Sequence, residues 1–74
     1  MTEQLLEMLR EIQPYEEINQ DTLLLDEGIL DSLTMVEFIV EIEDKFLVDI
    51  PERMITEENF QKIETIESLI KRLR

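Results

Sequence analysis

The sequence has no cysteine and no histidine, a single glycine, two prolines, and only seven basic residues among 74. Without cysteine there is no disulfide framework, no thiolate metal site and no thiol chemistry belonging to the chain itself. Without histidine the commonest metal ligand and the commonest general base are missing. One glycine and two prolines supply few turns of the β-hairpin kind. The longest apolar runs, Leu23-Leu24-Leu25 and Phe38-Ile39-Val40, are three residues each, far short of a bilayer span. The start lacks the charged-then-apolar layout of a signal peptide, so a soluble cytoplasmic protein is expected. Basic charge is scarce: 19 acidic residues give a formal net charge of −12, which argues against nucleic acid and against an anionic membrane surface as partners.

What is present is a 43% apolar fraction, more than a disordered acidic tail carries. The length allows one domain, residues 1–74, with a small core. Glu3 to Ile12 is predicted as a helix from Leu5, Leu9 and Ile12 at i, i+4, i+7, with Leu6 and Met8 widening the stripe. Thr2 is its expected cap and Pro14 its stop. Pro14 to Asp31 is too apolar for a free linker; Tyr15 and Leu23 to Leu25 are expected to pack this loop onto the helices. A calcium loop fails on spacing: with Gly28 at its glycine position, Leu23 and Thr34 would be ligands.

Ser32 to Leu47 is the strongest predicted helix, with Asp31 as N-cap. At about 100° per residue, Met35, Phe38, Ile39, Ile42 and Phe46 share one arc, opposite the polar Thr34, Glu37, Glu41, Asp44 and Lys45. Leu33, Val36, Val40 and Leu47 form a second apolar stripe, set off by Glu43 on one side and by Glu37 and Asp44 on the other. Val48 to Pro51 is an extended exit. Thr56 to Phe60 is a short capped turn, and a last helix is expected from Thr65 as cap through Ile66, Leu69, Ile70 and Leu73. The fold class is therefore all-α: three main helices plus one short one, with a long ordered loop between the first two. From Glu16 to Asp49 there are eleven acidic residues and only Lys45 as a base.

Alone, Asp and Ser before an apolar run are helix caps. Here Asp31-Ser32-Leu33 follows Leu23-x-x-Asp26-x-Gly28-x-Leu30 and precedes Val36-Glu37 and Ile42-Glu43-Asp44-Lys45-Phe46. Ile50-Pro51, Glu58-Asn59-Phe60, Ile63-x-Thr65-Ile66 and Leu69-Ile70 complete the pattern. From about Leu23 to Leu73 the chain resembles the acyl carrier protein superfamily, whose attachment tripeptide opens the second helix. Leu30 before Asp31, and the longer Pro51–Thr65 stretch with its Asn59-Phe60 pair, make it more similar to D-alanyl, aminoacyl and discrete biosynthetic carriers than to the fatty-acid type.

The resemblance implies a covalent 4′-phosphopantetheine on Ser32, with Asp31 assisting the modifying transferase and its magnesium. The arm's thiol would hold an acyl or aminoacyl group as a thioester and pass it between enzymes. The chain itself would be a carrier and not an enzyme. Expected partners are a phosphopantetheinyl transferase, an adenylating enzyme that loads the arm, and downstream transferases with basic docking patches. Leu33, Val36 and Val40 would supply apolar docking contacts, and Glu37, Glu43 and Asp44 would meet basic groups. No metal site, nucleic acid partner or membrane insertion is expected, and the protein should be a monomer. The alternative from another class is an unmodified acidic interaction module docking through its second helix.

A chain at −12 repels itself in its compact state. Salt or divalent cations should therefore raise its melting temperature; a midpoint indifferent to both in calorimetry would contradict that expectation.

Overall fold

The computed structural model describes all residues, Met1–Arg74. It holds four α-helices and no strand: α1 (Thr2–Ile12), α2 (Ser32–Phe46), α3 (Glu57–Phe60) and α4 (Ile63–Leu73), with a 3₁₀ turn at Glu52–Met54. The expected bundle of three main helices and one short one is what forms. Seventeen buried apolar residues make one core cluster. Helix α1 contributes Leu5, Leu6, Met8 and Leu9, and α4 contributes Ile63, Ile66, Leu69 and Ile70. Helix α2 is longer yet buries only Phe38 and Ile42. Met35, Ile39 and Phe46 pack against the cluster from its edge.

Two helix starts differ from expectation. Thr2 lies inside α1, whose N-cap is Met1, and its hydroxyl donates instead to Glu67 of α4. Helix α4 begins at Ile63, with Lys62 at the N-cap and no side-chain cap. Burial of Ile63 draws the helix back by a turn, which places Thr65 in its first turn. The Thr65 hydroxyl lies 3.0 Å from the Asn59 carbonyl and 2.9 Å from that of Lys62, bonding backward rather than capping. By contrast, Thr56 caps α3 as predicted, accepting from the Asn59 N–H at 3.2 Å, and Phe60 is fully buried.

Proline at position 14 ends α1 two residues earlier, at Ile12. The loop that follows is ordered by burial of Ile18, Leu24, Ile29 and Leu30. Tyr15 is 98% exposed, against the expectation that it packs the loop down. A tight turn, with the Glu16 N–H donating to the Gln13 carbonyl at 3.2 Å, points residues 14 and 15 outward and leaves Ile18 to enter the core. Gly28 sits at φ +76, the left-handed region that a side chain disfavours, although a Cβ there would meet no atom within 4 Å. The requirement for glycine is thus one of torsion rather than of space.

Gln61, between α3 and α4, fixes the loop. Its side-chain Oε1 accepts from the N–H groups of Leu25 and Asp26 at 2.9 and 3.1 Å, and its Nε2 donates to Asp26 Oδ1 at 3.2 Å. The Gln61 carbonyl accepts from the Leu24 N–H at 2.8 Å. At the other end Gln13 Nε2 donates to the Ile29 carbonyl at 3.0 Å. Truncation of Gln61 to alanine removes the acceptor of two loop amides, one half-buried and one exposed, which should cost about 0.5–1.5 kcal/mol. Urea denaturation should register the loss, with faster hydrogen exchange at Leu25 and Asp26; unchanged exchange at both would count against this role.

Candidate functional site

Asp31 sets the point at which α2 begins. Its backbone is extended, and its Oδ1 accepts from the N–H groups of Leu33 and Thr34 at 3.0 and 2.9 Å. The Thr34 hydroxyl returns the bond, accepting from the Asp31 N–H at 2.8 Å. That hydroxyl lies 3.1 Å from both the Ile29 carbonyl and Asp31 Oδ1, and its proton serves either. This is a reciprocal capping box with threonine in the position usually held by Glu or Gln. Its contact with Ile29 ties the cap to the buried loop. The Thr34 and Leu33 bonds, that of the Thr34 N–H foremost, hold the Asp31 carboxyl below its ordinary value against a smaller opposing effect of desolvation.

Ser32 is the first residue of α2 and is exposed. Its side chain takes no part in the cap, which uses Asp31 and Thr34 alone. The hydroxyl therefore stands free at the positive end of the helix dipole. With no histidine in the chain it has no general base of its own.

The second apolar stripe is in the open. Leu33, Val36 and Val40 are 68, 59 and 58% exposed, and Leu47 is 88% exposed. Glu37 and Asp44 are exposed beside them, whereas Glu41, assigned to the polar arc, is half-buried. Glu43, expected to face a partner, is also half-buried, and its Oε2 accepts from the Ile50 N–H at 2.8 Å. That oxygen holds the exit from α2. Seven of the eight expected site residues, Asp31, Ser32, Leu33, Val36, Glu37, Val40 and Asp44, are thus exposed, while Glu43 turns inward to the backbone.

Leu47 belongs to the same stripe but was not among the expected docking residues. It is the C-cap of α2 in the left-handed conformation, φ 55 and ψ 50. For a residue with a side chain this costs about 1–2 kcal/mol, and glycine is the usual occupant. Leaving a leucine in water also forgoes about 1.5–3 kcal/mol of burial. Neither term favours leucine for stability. The stripe periodicity carried a signal for this residue, but its backbone conformation could not be read from the sequence.

Residues 3–73 match the family described as "Phosphopantetheine attachment site". The chain belongs to that family. Among curated relatives of the family, the D-alanyl carrier protein of Listeria welshimeri is 45% identical over 51 residues, 66% of this chain and 65% of that protein. The D-alanyl carrier protein of Enterococcus faecalis is 41% identical over the same shares. The chain thus spans about 65% of the length of these relatives. A chain in a crystal structure of an FAD-dependent dehydrogenase superposes with a TM-score of 0.84 at 34% identity, covering 90% of this chain and 99% of that one.

The donor set fits a phosphodiester on Ser32. The hydroxyl is exposed, lies outside the cap and belongs to the first residue of α2, so a phosphodiester there would stand in solvent. The neighbouring Asp31 charge is partly neutralised by two backbone amides.

Because the folded-state value of Asp31 is lowered, its charge contributes stability above the ordinary carboxylate value, which is lost as pH falls through the folded-state value. Asp31→Asn keeps a cap acceptor without the charge. The melting-temperature gap between wild type and this variant should narrow between about pH 6 and pH 2; a gap constant across that range would contradict the assignment.

Proposed function

We propose that Ser32 is the attachment residue and that the protein is a carrier of a small aminoacyl group, of the D-alanyl type, and not an enzyme. The observation that carries this reading is the free Ser32 hydroxyl at the capped start of α2, inside the segment matched by the attachment family. The curated relatives support the class of cargo.

The division of labour follows from the residues. Asp31 and Thr34 fix the first turn, so Ser32 is presented in one orientation without being engaged. On modification the Ser32 Oγ attacks the β-phosphorus of coenzyme A. The Oγ–P bond forms, the pyrophosphate P–O bond breaks, adenosine 3′,5′-bisphosphate leaves, and the Oγ proton passes to a base of the transferase. Asp31, adjacent and exposed, would be available to assist the transferase's magnesium. Once bound, the arm supplies the thiol that the chain lacks, on which the acyl group is carried as a thioester.

Leu33, Val36 and Val40 give visiting enzymes an apolar track, and Glu37 and Asp44 steer basic patches onto it. Such rim charges speed encounter more than they deepen affinity, which suits a shuttle visiting an adenylating enzyme and then downstream transferases. No helix is long and apolar enough to cross a membrane, and the reading is of a cytoplasmic monomer. The likeness to the chain from the FAD-dependent dehydrogenase structure favours a second reading: a carrier whose loaded group is presented to a flavin-dependent dehydrogenase.

Intact mass after incubation with coenzyme A, magnesium and a broad-specificity phosphopantetheinyl transferase tests the attachment. Wild type should gain one phosphopantetheine and Ser32→Ala none. A folded wild type that gains nothing would leave an unmodified acidic interaction module.

A further inference from the structure

Leu47 is the residue of the exposed stripe that stability does not explain. Its position is fixed by what surrounds it. The N–H groups of Leu47 and Val48 both donate to the Glu43 carbonyl, the second at 3.3 Å, and Glu43 Oε2 accepts from the Ile50 N–H at 2.8 Å. Val48 and Ile50 are buried, so the extended exit alternates: positions 48 and 50 turn inward and positions 47 and 49 outward. The result is a shallow cleft lined by Val40, Leu47 and Val48 together with Glu43, Asp44 and Asp49. Helix termination here needs a left-handed residue, and glycine supplies one without strain. Leucine adds an exposed isobutyl group continuous with Leu33, Val36 and Val40.

We propose that Leu47 is a docking residue for the phosphopantetheinyl transferase, seated in an apolar recess of that enzyme whose rim carries Arg or Lys. The inference rests on Ser32 being the attachment residue. With no histidine in the chain to activate Ser32, the attachment needs an enzyme that supplies the base, and that enzyme must dock at this serine. Its footprint must include Ser32. Fifteen residues of helix place Leu47 about 22 Å from Ser32 along the α2 axis. A standard interface covers about 800 Å² per partner, a disc about 30 Å across, so a transferase that follows the stripe from Ser32 reaches Leu47. The charges select the occupant. Asp44 and Asp49 flank the leucine, and a second copy of the chain, also at −12, would bring the same carboxylates face to face. An anionic lipid surface is repelled for the same reason. A basic rim is attracted.

The test is initial-rate modification of the apo chain by a broad-specificity transferase, with melting temperatures measured on the same samples. Leu47→Gly and Leu47→Asn both accept the left-handed backbone and delete the apolar group. Leu47→Met keeps an apolar group on the same backbone. The expected result is a rise in KM of about tenfold for Gly and Asn with kcat unchanged, no fall in melting temperature, and near wild-type KM for Met. A KM for Gly and Asn within about twofold of wild type overturns the proposal and leaves the attachment reading intact. So does a KM rise that comes with a fall in melting temperature, because Leu47 would then act through the fold. Wild type that is not modified at all overturns both readings and is recognised by the missing mass gain in every sample.

Discussion

The reciprocal bonds between Asp31 and Thr34 are the constraint on which the remaining features depend. They decide which residue is first in α2, and so which residue stands at its open end. A helix that began one residue later would turn every side chain of α2 by about 100° relative to the cap. It would bury part of the apolar stripe and expose part of the core face. The cap is not self-sufficient. The Thr34 hydroxyl also reaches the Ile29 carbonyl, which accepts from Gln13 as well, and Ile29 belongs to a loop clipped by Gln61. The serine is positioned by contacts drawn from α1, the loop and the α3–α4 junction.

Helix α2 reconciles two demands that conflict in a chain of this size. A small domain needs all the apolar burial it can obtain, yet α2 and its C-cap keep four aliphatic side chains in water. The shorter helices compensate: α1 and α4 each bury four residues in eleven, and Phe38 and Phe60 fill the centre. Acidic residues beside the stripe keep it hydrated and self-repelling, so that exposed aliphatic surface need not lead to association.

Much of this was legible in the sequence because it rests on local rules. Periodicity separated the core arc from the stripe in α2, and Asp31 and Thr56 announced their caps by type and position. What escaped depends on distant partners. Gln61 meets Leu25 and Asp26 across more than thirty positions. Glu43 looked like a free surface acid until the Ile50 amide folded back onto it. Tyr15 shows that an aromatic ring does not declare which side of a turn it occupies. Thr65 shows that the pull of one buried residue, Ile63, outranks a cap preference worth about 1 kcal/mol.

The filled centre bears on what the arm can carry. Phe38 and Phe60 have no exposed surface, and none of the clefts is lined by either ring. A long alkyl group would have to displace one of those rings or trail in water, whereas a short polar group faces neither penalty. The solid interior thus sets a packing cost that any group lodged there must meet, while a group carried at the surface meets none.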